Sequence, residues 1–271
     1  MAICIFHHDS TGDLSVDLDR GLYFCHACGA AGNTRTMAHY LEVSEPIEMV
    51  PDLSRIRLKL RRLTLPEPDE RELLMYKSGA AEVWKEEREF NGATVHKWGL
   101  GYDAMNDCLT IPVRAYSGRY IGIIRRRIGP EREGWEMKYR YPFRFPRKST
   151  LFGAHLIRKR SVVITEGSLD AVKVSMAGYD AVATLGTHLS PEQVSVLSKC
   201  GVSLVALMLD NDNAGREATQ RITEGGVLRR AGIRLALAEY NTTAKDPGEL
   251  STRGIKQMLS GVFLARDETT C

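Results

Sequence analysis

From residue 161 onward, apolar and polar positions follow two rhythms. "SVVITEG" (161–167), "DAVATLG" (180–186) and "VSLVALMLD" (202–210) are short apolar runs rich in β-branched residues, and each reads as a buried strand, the last being the longest. Between them, "SLDAVKVSMAGY" (168–179) and "SPEQVSVLSKC" (190–200) read as helices, the second opening on a Ser-Pro start. "AGREATQRITEGGVLRRAG" (214–232) follows as one helix and "IRLALAEY" (233–240) as a further strand. Strand–helix alternation of this length predicts a parallel α/β sheet with helices on both faces.

Upstream the rhythm differs. "DLSVDLDRGLYF" (13–24) alternates around Gly21 as a short hairpin, and "DCLTIPVRAYSGRYIGIIRRRI" (107–128) reads as a hairpin turned at Ser117-Gly118. Residues 70–90 read as helix interrupted by Ser78-Gly79. Residues 44–68 hold four prolines and a burst of charge, as a linker does; within them "RIRLKL" alternates basic and apolar residues and fits an edge strand.

The chain has 271 residues, 43% hydrophobic and 26% charged, ordinary values for a globular protein. No apolar run reaches the roughly 18 residues that span a bilayer, and no basic-then-apolar signal pattern opens the chain, so the expected location is the cytoplasm of a bacterial or phage-infected cell, away from membrane. Net charge is only +3, but its distribution is uneven. Residues 125–148 carry nine Lys or Arg against three Glu, interleaved with Trp135, Tyr139, Tyr141, Phe143 and Phe145, and residues 55–62 add five more cations. Cations that neutralise phosphates beside rings that stack on unpaired bases suit single-stranded nucleic acid.

Cys4-x2-His7 and Cys25-x2-Cys28 form two pairs seventeen residues apart. Four soft or borderline ligands on two turns suit a tetrahedral structural zinc with no open position for water. Spacing favours His7 over its neighbour His8 and over His26 between the later cysteines. Cys108, Cys200 and Cys271 read as two packing residues and a tail thiol.

Acidic residues mark the ends of the parallel strands, where the reactive crevice of such sheets lies. Glu166 ends the first strand and Asp170 follows one helical turn later. Asp210 ends the third, with Asp212 two residues on, and Asp246 stands in "AKDPGEL" after the last. Two like charges about 4 Å apart repel by about 4 kcal/mol at an effective dielectric of about 20. Mg2+ or Mn2+, which take oxygen ligands, would relieve that repulsion, and a pair of such ions supports phosphoryl transfer.

"CIFH…YFCHACGAAGN", "WGLGYD", "YIGIIRRRIG", "MKYRY", "VVITEGSLDAV", "DNDNAGREA" and "KDPGEL" occur in the order seen in DnaG-type DNA primases of bacteria and their phage relatives, and the chain resembles that family from Cys4 to about Leu259. The resemblance implies an α/β fold in which a zinc-ribbon (CHC2) module precedes a mixed α+β basic subdomain and a Toprim subdomain. It implies a DNA-dependent RNA polymerase that makes short RNA primers on single-stranded DNA from ribonucleoside triphosphates, within a primosome and with a replicative helicase as candidate partner. Glu166 is similar to the family's catalytic Glu; Asp170, Asp210, Asp212 and Asp246 resemble its metal-binding acids, with Asp210 and Asp212 also assigned to catalysis. Arg126 and Lys138 resemble the basic residues that bind nucleotide or template phosphate, and Cys4, His7, Cys25 and Cys28 the zinc ligands.

The expected division is a zinc module at 1–43, a basic linker at 44–68, an N-terminal basic subdomain at 69–160, a Toprim subdomain at 161–243 and a closing segment at 244–271. Three departures stand out. Gly248 occupies a position where the resemblance leads one to expect another Asp, Ile5 replaces a usual Pro, and neither the family's leader before the first Cys nor its helicase-binding domain is expected. Two other readings share the same motifs: a Toprim-type nuclease, and a non-catalytic zinc-bearing factor that binds single-stranded DNA.

Overall fold

Four runs of β-branched and aliphatic residues build the sheet that positions the acids. They are β8 (Ser161–Thr165), β9 (Ala181–Ala183), β10 (Leu204–Leu207) and β11 (Arg234–Leu237), all parallel in the order β11-β10-β8-β9. Val162, Ile164, Val205 and Leu207 point into one apolar core with Val194, Leu197, Ala218 and Ile222 from helices. Val163 and Ala206, one residue out of phase, are equally buried, so both faces of the sheet are covered. This computed structural model describes residues 2–6, 12–17, 21–28, 30–33, 37, 68–131, 137–142, 145–240 and 242–264. They fall into two compact units, residues 1–67 with 143–145, and residues 68–142 with 146–271.

In the first unit, β1 (Leu14–Asp17), β2 (Leu22–Cys25) and β3 (Ala31–Asn33) form an antiparallel sheet in sequence order. The expected hairpin lies at residues 14–25, with Leu14 opposite Cys25, and Ala2 bridges to Leu14. β3 had no signal in the alternation. A small core of Cys4, Leu14, Tyr23 and Cys25 closes the sheet, with Phe6 stacked on Tyr23. The edge-strand reading of residues 55–60 lies outside the described residues.

The second unit opens with a 3-10 helix at Glu70–Tyr76, then α1 (Ala80–Arg88) and α2 (Gly92–Trp98). The interruption falls at Ser78-Gly79 as expected, but its first arm is a 3-10 rather than an α-helix, and none of its residues is buried. β4 (Gly101–Asp103), β5 (Cys108–Arg114), β6 (Tyr120–Arg127) and β7 (Tyr139–Arg140) pair antiparallel in that order. The β5–β6 hairpin turns through Ser117-Gly118. Two tryptophans fasten this region. Trp84 is fully buried, stacks on Phe90 and donates to the Gly101 carbonyl at 2.9 Å. Trp98 stacks on Phe152 and donates to Ser175 Oγ at 2.9 Å, tying α2 to α3 (Ser168–Met176) beside the parallel sheet.

The helices between parallel strands are α3, α4 (Pro191–Lys199) and α5 (Asn213–Gly225), with a short α6 (Val227–Arg230) and, after β11, α7 (Thr252–Leu264). Ser190 and Gln193 form a reciprocal capping box on α4. Two expectations are corrected here. The helix expected across 214–232 is two helices, because Gly226 adopts a left-handed conformation (φ 60°) that ends α5 and starts α6. The strand expected to be longest, at 202–210, is ordered as a strand only over Leu204–Leu207, shorter than β8; Met208 still donates to the Ile164 carbonyl, after which the chain leaves the sheet.

Trp84→Ala, which removes a fully buried ring and leaves the Gly101 carbonyl without its donor, should lower the unfolding free energy by about 3–5 kcal/mol in chemical denaturation.

Candidate functional site

Glu166 follows the last residue of β8, and Asp210 lies three residues past β10, so the carboxyl ends of two adjacent parallel strands deliver two acids to one edge. The contact between them is direct: the Asp210 backbone N–H donates to Glu166 Oε1 at 3.3 Å. Asp170, in the first turn of α3, accepts from the Gly248 N–H at 3.1 Å. Asp212 is extended (φ −120°, ψ −176°) and caps α5 by accepting from Gly215 N–H at 2.8 Å. Asp246 caps the 3-10 turn Pro247–Glu249 by accepting from Glu249 N–H at 3.0 Å. Four of the five acids thus receive a backbone amide. Asp210 is the exception, since its Oδ1 is buried with no hydrogen-bond partner among the described residues.

The loops are held by features that the motifs did not single out. The Asn211 backbone N–H donates to the Lys245 carbonyl at 2.6 Å and its side chain to the Ala244 carbonyl at 3.1 Å, which locks 210–212 to 244–246. A Cβ at Gly215 would stand 1.9 Å from the Asp210 carbonyl oxygen, so only glycine lets α5 start this close to that turn. At Gly248 a Cβ would crowd Asp246 Oδ1 (3.0 Å) and Asp170 Oδ1 (3.1 Å); in place of the expected fifth Asp, the chain presents a backbone donor.

Electrostatics confirm that these acids feel one another. Burial, then Asp246 and Asp210, push Asp170 up to about 7. Burial, then Glu166, Asp246 and Asp212, push Asp210 up to about 7. Glu166 is raised by burial, with Asp212 adding to it against the opposing Asp210 amide. Half-buried Glu166, Asp170, Asp210 and Asp246, with exposed Asp212, offer oxygens of the kind a hard divalent cation takes, although among the described residues no three of them have ligand atoms within 4.8 Å of one another as the cysteines do.

Arg126 is buried, with its guanidinium over the Tyr139 ring at 5.8 Å, while Lys138 is exposed. Burial raises the Tyr139 phenol to about 12, with Arg126 opposing and Asp170 adding to the rise, so this β6–β7 pair neighbours the acids. Nearby, Arg125 lies over Tyr76 and Arg147 over Tyr141.

In the first unit the Sγ atoms of Cys4, Cys25 and Cys28 lie within 4.8 Å of one another, Cys4 and Cys28 at 3.8 Å. Tetrahedral ligands about 2.3 Å from zinc are about 3.8 Å apart, so the three thiols fit three vertices. Backbone amides of Phe6 and Cys28 donate to the Cys4 and Cys25 sulfurs, as turns around a metal do. His26 pairs instead with Ser15 Oγ at 2.8 Å. His7 and His8 lie outside the described residues.

Residues 1–61 match the CHC2 zinc finger family and residues 163–251 the Toprim-like family. The solved zinc-binding and RNA polymerase domains of the Aquifex aeolicus primase superpose over 98% of this chain and 80% of theirs, with a TM-score of 0.59 at 21% identity. The fold is that of the DnaG-type primases. A DnaG catalytic domain solved bound to ssDNA covers 74% of the chain with a TM-score of 0.58 at 18% identity. Among curated relatives, the DNA primase of Myxococcus xanthus is 24% identical over 96% of this chain and that of Synechococcus elongatus 26% over 82%. The chain spans about half the length of these relatives, 53% and 42% respectively. Among the described residues no helix is long and apolar enough to cross a membrane.

One zinc per chain is expected by elemental analysis, and Cys25→Ser should lower that stoichiometry well below one; unchanged zinc would exclude Cys25 as a ligand. The acids give a pH test. A carboxyl raised to about 7 when folded, from an ordinary value near 4, binds more protons folded than unfolded between those limits, so stability falls as pH rises through that window. Without divalent cation, the melting temperature should therefore drop from pH 5 to pH 7.5, and Mg2+ should raise it more at pH 7.5 than at pH 5.

Proposed function

We propose that the chain is a DNA primase that synthesises short RNA primers on a single-stranded DNA template from ribonucleoside triphosphates. The observation that carries this reading is the meeting of Glu166 and Asp210 at one sheet edge, with Asp170, Asp212 and Asp246 around them. The 3′-hydroxyl of one nucleotide attacks the α-phosphate of the next, and pyrophosphate leaves. Bound to these acids, Mg2+ or Mn2+ supplies charge neutralisation for the triphosphate and activation of the attacking hydroxyl.

Glu166 orients the cation site or accepts the hydroxyl proton; its raised affinity for protons suits a base more than an unperturbed carboxylate would. Asp170, Asp210, Asp212 and Asp246 supply the oxygens. Arg126 reaches phosphate from inside the pocket, where a desolvated guanidinium acts more strongly than a solvated one, and Lys138 does so from the surface. Cys4, Cys25, Cys28 and His7 hold a structural zinc in a module at 1–43 that contacts template. A replicative helicase in the bacterial or phage-infected cytoplasm is the partner that this activity calls for.

The test is incubation with single-stranded DNA templates, labelled ribonucleotides and Mg2+. Template-dependent RNA products are expected, falling at least about 100-fold in Asp210→Ala and in Glu166→Gln, each with a circular dichroism spectrum like that of the parent. Degradation of the DNA without extension would make the protein a nuclease. Full activity in either variant would remove that residue from the mechanism.

A further inference from the structure

A neutral polar group that the motifs do not mark lies past the carboxyl end of β11, beside the strands that carry Glu166 and Asp210. Tyr240 lies three residues past β11 and six before Asp246. Its hydroxyl is buried and has no hydrogen-bond partner among the described residues, a condition shared at this edge by Oδ1 of Asp210. Buried phenols ordinarily find a partner, because the ring favours the interior while the hydroxyl does not. Burial and the charges of Asp170, Asp210, Asp246 and Glu166 all push this phenol to ionise later than usual. A phenol is protonated at neutral pH and can donate a hydrogen bond. A donor set among acids, yet bonded to none of them, is placed for an oxygen that comes with the ligand.

We propose that Tyr240 is a positioning residue whose hydroxyl donates to an oxygen bound to the divalent cation held by Asp210 and its neighbours. That oxygen belongs either to water or to a phosphate group. The inference rests on the reading of the acid cluster as a cation site. Donors of this kind orient what the metal carries without touching the metal, and their removal typically lowers affinity or activity by about 10–100-fold.

The experiment compares the full chain with Tyr240→Phe and Asp210→Ala by calorimetric titration of Mn2+, alone and with pyrophosphate, alongside thermal melting without divalent cation. Tyr240→Phe should bind Mn2+ about 10-fold more weakly, with the cation-free melting temperature unchanged or higher because an unpartnered buried hydroxyl is gone. Weakening in both arms identifies the oxygen as water, and weakening only with pyrophosphate identifies it as phosphate. Binding within twofold of the parent in both arms overturns the inference, as does a lower cation-free melting temperature that matches the loss, since that is a packing role. If Asp210→Ala loses Mn2+ and Tyr240→Phe does not, the cation site stands and the tyrosine's role falls. If parent and Asp210→Ala bind alike, both fall.

Discussion

Mutual repulsion among carboxylates is the constraint around which the parallel half of this protein is arranged. A close pair at an effective dielectric of about 20 repels by about 4 kcal/mol, whereas a hydrogen bond to a charged group returns a net of about 1.5–3 kcal/mol. Glu166, Asp170, Asp212 and Asp246 each receive a backbone amide, from Asp210, Gly248, Gly215 and Glu249, and Asp170 a second from Gly167. These amides offset part of the repulsion and leave the rest. Burial first, and the neighbouring carboxylates after it, push Asp170 and Asp210 up to about 7, a condition that protons or a cation relieve. The fold thus orients the acids by hydrogen bonds that are too weak to neutralise them, which keeps the pocket receptive to positive charge.

Much of this was legible in the chain. The apolar runs at 161–167, 180–186 and 233–240 each contain the strand they imply, and the parallel topology follows from helices that alternate with them. Because strands end where apolar residues give way to acids, Glu166 and Asp210 could be assigned to one edge before any coordinates. What escaped depends on close approach rather than on periodicity. Nothing in "DNDNAG" says that Gly215 must lie against the Asp210 carbonyl, or that Asn211 clasps the 244–246 loop thirty-odd residues away. Tyr240 closes an ordinary amphipathic run and carries no motif. The break at Gly226 was hidden because Gly-Gly inside a helical rhythm can be tolerated or can end the helix, and only the left-handed conformation decides.

The zinc module shows the opposite balance. Spacing alone specified three thiols that the structure brings within 4.8 Å, because two short turns joined by a hairpin leave the chain little choice. Cys25 pairs with Leu14 across β1 and β2, so the strand register itself carries the second ligand pair toward Cys4. His26, which spacing already disfavoured, is bonded to Ser15 and set edge-on to Phe24.

Arg126 extends the electrostatic logic across the second unit. A buried guanidinium with no ion pair among the described residues is costly in the same way as unneutralised carboxylates. It lies over Tyr139, the ring whose phenol feels both Arg126 and Asp170. A metal–triphosphate presents the complementary pair, cation toward the acids and phosphate toward the guanidinium. Under the proposed function, Arg126 and the acids together suit a ligand that carries both charges.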